Sequence, residues 1–369
     1  MAKPSIKQYI FRRGAARRIP VSGTFELTSR CNFRCKMCYV QMTPEEQQAV
    51  GCELTTQEWL GIAEKAVEKG MIYLLLTGGE PLLRPDFPEL YQKLVQMGLK
   101  VSVNTNGALI TPQIAECFRQ FPPERVNVTL YGSSPYRYAG VCGNESGYAQ
   151  AIQGLKLLKQ AGIRVNLNTT FIRENLPDME ALVAFAKQEE ISIRTAAYIF
   201  PPVRNGHAEH DANLTAEEMG RACAAFDCMM LSAEQKQKQL DVINGCLSAE
   251  TDIEVMPECS PATCMAGRGA FWISWDGMMY SCGMLSHEGA SVREFDFGEA
   301  WSRTVESAQK LYLPEECSVC KYRKLCPSCA AVSQCINQTQ GKLAPDLCVR
   351  TQAYVEEFKR LSAVAQINT

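Results

Sequence analysis

Between residue 23 and about residue 200 one pattern recurs six times: a short apolar run, then polar and glycine-bearing residues, then a stretch with apolar positions at helical spacing. The apolar runs fall at 25–28, 71–76, 100–103, 125–130, 164–167 and 191–194. Most starts lie about 25–40 residues apart, which suits a strand plus a crossover helix rather than a hairpin. The run 71–76 shows no alternation, as expected of a parallel strand covered on both faces. Thr55 with Glu58 three residues on forms a capping box, and Gly70, Gly98 and Gly162 supply helix stops. Polar residues gather just after the strands, at 31–38, 77–80, 104–107, 131–132, 168–170 and 198–204. In an α/β barrel that is the edge where active sites are built. The pattern predicts an α/β chain whose six units form an open, partial (β/α)6 TIM-type barrel.

Beyond the repeats the periodicity changes. Residues 1–21 read as a basic arm, 22–240 as the barrel ending in a helical stretch over 215–240, and 241–258 as a connector. From 259 to 350 the chain is cysteine-dense, with a short strand at 271–274 and a turn at Trp275-Asp276-Gly277. A C-terminal helix is expected over 350–361, and 351–369 forms the closing segment.

Composition narrows the function classes. Of 369 residues, 38 are Lys or Arg and 40 are Asp or Glu, a formal charge of -2 that provides no global field for nucleic acid or an anionic membrane. No apolar run approaches the length of a bilayer span. Eighteen cysteines against three histidines imply either extracellular disulfides or intracellular metal. The first 20 residues carry six Lys/Arg and no apolar signal core, which points to a reducing, cytoplasmic setting. With so few histidines, all-cysteine zinc or iron–sulfur sites account for more of the thiols than mixed zinc sites do.

Cys31, Cys35 and Cys38 form a C-x3-C-x2-C run directly after the first strand. Three thiolates can hold three irons of a cubane, leaving one iron open to a substrate or cofactor. This run, with Thr77-Gly78-Gly79-Glu80-Pro81 after the second strand, resembles the radical S-adenosylmethionine (SAM) superfamily. The resemblance implies a [4Fe-4S] cluster on the three cysteines, with SAM chelating its fourth iron. It further implies reductive cleavage of SAM to methionine and a 5'-deoxyadenosyl radical that abstracts hydrogen. Gly78, Gly79 and Glu80 would face the SAM amino group, Met37 and Tyr198 the adenine, and Thr105, Asn106, Thr129 and Asn168 would approach SAM from other strand ends. Where relatives often carry an Arg for the SAM carboxylate, the nearest match is Cys142, with Arg137 not far away; Cys142 is also the one remaining cysteine marked for a functional role.

The second cysteine region resembles the SPASM extension of radical SAM enzymes. Cys264, then Gly277 and Cys282, then Cys317-x2-Cys320-x5-Cys326-x2-Cys329 and finally Cys348 follow its order, with x2 where x3 is usual before Cys329. The resemblance implies two auxiliary [4Fe-4S] clusters, one on Cys259, Cys264, Cys282 and Cys329, the other on Cys317, Cys320, Cys326 and Cys348. Cys335 is an alternative to Cys259 or Cys329, and zinc ribbons are the alternative to the clusters. His207 and His210 read as loop residues.

The SPASM resemblance implies modification of a ribosomally made peptide, by a thioether or another change begun by C–H abstraction. An external flavodoxin- or ferredoxin-type donor would supply electrons. The barrel starts about 22 residues in, so a separate leader-binding protein is a further expectation. Competing readings are modification of a small molecule or tetrapyrrole and a non-enzymatic electron carrier or sensor. Sulfatase maturation is disfavoured, because Cys282 is followed by Gly283 where that branch carries an Asp.

Overall fold

All six apolar runs form strands, and all six are parallel. They are β1 (Ser22–Glu26), β2 (Tyr73–Thr77), β3 (Lys100–Thr105), β4 (Arg125–Thr129), β5 (Val165–Thr170) and β6 (Ser192–Ala196). The computed structural model describes residues 5–40, 42–196, 199, 213–248, 264–285, 288–327, 329–337 and 342–367. Strand order is β6-β5-β4-β3-β2-β1, continued beyond β1 by β7 (Ala270–Ile273), β8 (Met278–Tyr280) and β9 (Ala290–Ser291). β7 runs parallel to β1, with Ser22 opposite Ala270, whereas β8 and β9 are antiparallel. The cysteine-rich region is therefore built onto the barrel's own sheet, a pairing across 248 residues that local periodicity cannot reveal.

The helices are α1 (Ile6–Arg17), α2 (Pro44–Val50), α3 (Thr56–Glu68), α4 (Phe87–Gln96), α5 (Pro112–Gln120), α6 (Pro135–Cys142) and α7 (Gly147–Gln160). There follow α8 (Met179–Gln188), α9 (Ala216–Met230), α10 (Ala233–Ser248), α11 (Phe297–Gln309), α12 (Glu315–Ser318), α13 (Ala330–Asn337) and α14 (Pro345–Ile367). The capping box expected at Thr55 is present and opens α3. The helical stretch expected over 215–240 is two helices, and the second continues to Ser248 through the start of the expected connector. Residues 249–258 lie outside the described residues.

The N-terminal segment differs from the expected arm. Ser5 and Gln8 form a capping box that starts α1, Phe11 packs against Tyr73 with ring centroids 5.2 Å apart, and Ala15 is buried. The helix docks through a narrow face of small and aromatic residues while its arginines stay in solvent, so charge counting alone reads it as a tail.

The core lies between sheet and helices. Trp59 of α3, fully buried, stacks on Phe25 of β1 at 4.6 Å, while Phe87 and Tyr91 of α4 and Phe118 of α5 close over β2 and β3. Inside the half-barrel the face is polar: Asn127 donates to Asn104 at 2.7 Å, and Asn166 to Asn127 at 3.3 Å. Since alternate residues of a strand share a face, this ladder points Thr129 and Asn168 to the same interior two positions further on. No helix of the described residues is long and apolar enough to cross a membrane.

Candidate active site

The C-terminal ends of β1 to β6 enclose a cavity of about 330 Å3. Cys31, Cys35, Cys38, Met37, Gly78, Gly79, Thr105, Asn106, Thr129 and Asn168 all border it. Ten separately expected residues thus reach one space.

The cysteine loop is held by backbone. Arg34 N–H donates to the Cys142 carbonyl at 2.9 Å and Lys36 N–H to the Val141 carbonyl at 3.1 Å, so the C-terminal turn of α6 clamps the loop. Phe33 packs edge-on against Tyr138 of the same helix. Phe33 N–H points at Cys31 Sγ (3.4 Å), and Asn106 Nδ2 reaches Asn32 Oδ1 at 2.7 Å, tying the loop to the exit of β3. Burial pushes the Cys31 thiol up to about 12, against the opposing Phe33 N–H and with help from the Glu80 charge. The Cys35 thiol also rises, first through its hydrogen bond with Cys142 and then through burial.

The glycine segment has a structural reason. Gly79 N–H donates to Thr28 O (2.7 Å) and Glu80 N–H to Arg30 O (2.8 Å). A Cβ on Gly79 would sit 2.1 Å from Arg30 O, and Gly78 has φ +142 with Thr28 O 2.4 Å from where its Cβ would be. Only glycine permits this approach to the exit of β1. The close approach is thus made first of all to the chain's own loop.

Glu80 is placed differently from the sequence expectation. Its side chain is fully buried behind the cavity wall. Oε1 accepts from Thr105 Oγ1 (2.8 Å) and Leu82 N–H (3.1 Å), and Oε2 from Asn106 N–H (2.7 Å). The carboxylate therefore fixes the β3 exit, leaving the Gly78 and Gly79 segment to face the cavity. Burial raises its carboxyl to about 7 even against three donors.

Cys142 is fully buried behind Cys35 and borders no part of the cavity. Arg137 is 3.3 Å from Asp178, which also accepts from Ser133 N–H and Oγ. Neither side chain of that segment reaches the cavity. Tyr198 lies outside the described residues, whereas Tyr39, Val40, Tyr131, Thr170 and Ile199 line the cavity without having been singled out. Tyr131 and Thr170 stand in exit segments that the polar pattern marks, two positions beyond Thr129 and Asn168 on the same face, so counting by two would have found them.

In the second region burial raises the Cys282 thiol to about 11, with the charges of Cys329, Cys264 and Cys335 adding to it. Burial likewise raises Cys317 to about 11, with Cys326, Cys348 and Cys320 adding. Two neighbourhoods of thiols follow, Cys264, Cys282, Cys329 and Cys335 in one and Cys317, Cys320, Cys326 and Cys348 in the other; Cys259 lies outside the described residues. Cys335 stands with the first set, its Sγ 3.0 Å from the Met284 carbonyl. Among the described residues no three His, Cys, Asp or Glu side chains converge tightly enough for a single metal ion. A four-iron cluster spaces its thiolates more widely than one ion does. A Cβ on Gly283 would lie 2.7 Å from the Trp272 indole, which donates to Glu26 at 3.0 Å, so the residue after Cys282 is confined to glycine by packing.

A parallel half-barrel with three thiols on the loop after its first strand and a glycine segment after its second defines a radical SAM domain, and residues 25–186 match the radical SAM superfamily. Enzymes of this class bind SAM and a [4Fe-4S] cluster, and three thiols facing a cavity walled by polar strand ends suit that pair in donor set. The particular relatives divide in kind. An AdoMet-dependent heme synthase of Methanosarcina barkeri is 28% identical over 327 residues, covering 83% of this chain and 90% of the relative. A PqqA peptide cyclase of Granulibacter bethesdensis is 27% identical over 322 residues, covering 83% and 81%. Among solved structures, native anSMEcpe with bound AdoMet superposes with TM-score 0.69 at 16% identity, covering 95% of this chain and 100% of that one, a likeness of fold.

Proposed function

We propose that this radical SAM enzyme modifies a peptide by abstraction of hydrogen from a C–H bond. The observation that carries this reading is the open side of the half-barrel: among the described residues β6 ends the sheet, and Ala196 at its end borders the cavity, so an extended chain can approach along that edge. The peptide cyclase relative, alike over four-fifths of both chains, supports the same class.

Cys31, Cys35 and Cys38 would hold the cluster, with Met37, Gly78, Gly79, Thr105, Asn106, Thr129, Asn168 and Tyr198 around SAM. When bound, cluster and SAM together supply a one-electron cleavage that ends in removal of a substrate hydrogen. The chain's own part is positioning. Asn106, locked by Glu80 through its N–H, holds the cysteine loop through Asn32, and Phe33 and Met37, both buried, keep water from the inner wall. Cys264, Cys282 and Cys329, with Cys259 or Cys335, would hold one auxiliary cluster, and Cys317, Cys320, Cys326 and Cys348 the other, in a SPASM-like region. Closed sets of four thiolates suit electron transfer rather than substrate ligation.

A second reading, modification of a tetrapyrrole, is favoured by the heme synthase relative. Anaerobic incubation with SAM and dithionite tests both, since each requires 5'-deoxyadenosine and its absence would sink both. Supplying candidate peptides or an iron-coproporphyrin then separates them by which one changes mass. Iron analysis tests the cluster count: three clusters give about twelve irons per chain, whereas zinc ribbons give one or two zincs.

A further inference from the structure

A second cavity, of about 590 Å3, lies on the outer edge of β6, which has no strand partner on that side among the described residues, between it and α9, α10, α14 and the turn at 324–327. Ile193, Arg194 and Thr195 all line it. Side chains of consecutive strand residues point to opposite faces, so a cavity touching three in a row must run along the strand edge itself. An edge strand presents unpaired N–H and C=O groups to whatever lies beside it.

The walls carry an excess of positive charge, three cations to one carboxylate. Arg194, Lys324 and Arg350 line the space, and none of them has a carboxylate partner among the described residues. Arg350 has only a 3.4 Å contact to Cys223 Sγ. The one carboxylate present, Asp227, is occupied by the Tyr354 hydroxyl, which donates to it at 2.7 Å. Apolar side chains, including Phe226, Val242 and Leu325, share the lining with the polar Gln239 and Thr351. The volume falls in the range of ligand pockets, roughly 300–1,000 Å3, enough for a few residues of extended chain. Ala196, the next residue of β6, borders the Cys31 cavity, so one strand edge leads from this groove to the site.

We propose that the groove docks an extended, acidic segment of the peptide substrate, which adds to the sheet beside β6 while its carboxylates meet Arg194, Lys324 and Arg350. The inference rests on the peptide reading above and deepens it. Strand addition takes affinity from main-chain hydrogen bonds and selectivity from alternate side chains. Three cations without carboxylate partners select for Asp and Glu at those positions. The docking segment and the residue to be modified would then lie within a few residues of each other along the substrate, since groove and site adjoin along β6.

The test uses the cluster-loaded full chain and a fluorescein-labelled octapeptide of alternating Glu with Val and Thr, read by anisotropy. Three comparison probes are the same peptide with Lys for Glu, the same charges on a chain broken by two prolines, and coproporphyrin III as unlabelled competitor. The expected result is binding at least about tenfold tighter for the acidic probe than for the basic one, weakening as salt rises, and lost on proline insertion. Arg194→Glu and Arg350→Glu should each weaken binding by about tenfold or more while leaving iron content and substrate-free SAM cleavage unchanged. Arg194→Gln, with a smaller loss, guards against misfolding by charge reversal. Equal binding of the acidic and basic probes, or binding indifferent to both arginines, would overturn the proposal. Displacement by coproporphyrin III that both arginine variants abolish would reassign the groove to a tetrapyrrole's carboxylates. If peptides are modified at normal rates by Arg194→Glu and Arg350→Glu, the docking inference fails while the peptide reading stands.

Discussion

The two cysteine regions are built on opposite principles. The loop carrying Cys31, Cys35 and Cys38 is held by the protein itself, through carbonyls of α6, the Glu80 network and a glycine segment fitted against residues 28–30. The second region rests on small apolar clusters rich in alanine, one of Leu285, Ala308, Leu311, Leu313, Ala330 and Ala331, another of Val332, Ala344 and Leu347. Around Cys317 to Cys348 little apolar surface is buried compared with the Trp59, Phe25 and Tyr91 core of the barrel, which Phe271, Ile273, Met279, Phe297 and Trp301 at the start of the region join. A site that must exchange its ligand is preformed, whereas the proposed auxiliary sites can draw their own order from metal, because metal binding free energy is folding free energy.

The comparison is broken most directly at the preformed loop. Cys35→Ala should abolish SAM cleavage while about eight of twelve irons remain; loss of all iron would make the three sites one unit. Removing iron by chelation under reducing conditions should next expose 311–337 and 342–348 to rapid amide exchange while β1–β5 and β7 keep their protection. Equal loss in both regions would end the distinction. Trp59→Ala should destabilise the barrel by about 3–5 kcal/mol, measured by denaturant titration of the metal-free protein. The same change should leave auxiliary cluster absorbance intact in mild conditions. A pH series sharpens the contrast further. Buried thiols whose ordinary value of 9.0 is raised to about 12 at Cys31, and likewise to about 11 at Cys282 and Cys317, keep more protons in the folded apo state than in the unfolded one. Apo stability from these groups is thus fully present below about pH 9 and falls as pH rises toward 11–12, while cluster loading, which releases the protons, gains. Melting of apo protein at about pH 8 and pH 10 should diverge from that of loaded protein, which should change less. The smallest effect is expected from Glu80→Gln, which turns an amide N–H2 toward donors now satisfied. SAM affinity should fall by about tenfold, or ~1.4 kcal/mol, with iron content unchanged.

Much of this arrangement is legible from the chain. The strands are, because apolar residues recur at alternate positions and fill one buried face, as Leu74 and Leu76 do in β2 and Val101 and Val103 in β3. The cavity residues are also legible, because motif spacing and strand-end position are local properties. What escapes is non-local. Nothing in residues 22–26 announces that β7 will pair with them, and nothing in Glu80 announces that Thr105 and Asn106 will consume its oxygens. Cys142 is informative in the same way: near the motif in reading order and behind it in space, it serves the loop through its carbonyl. α1 escapes because its buried face is only Phe11, Gly14 and Ala15 wide.

The pairing of β1 with β7 also has a temporal side. On the ribosome β1 emerges early, and its second neighbour is made only when Ala270 to Ile273 have been synthesised. At ~5–20 residues per second, β1 waits roughly 12–50 seconds as an open, apolar strand edge, the kind of surface that recruits other chains. The cysteine-rich tail is then a late-arriving cover for the strand from which the first cysteine loop departs, and premature termination before residue 270 would leave every barrel element translated yet β1 unguarded on one side.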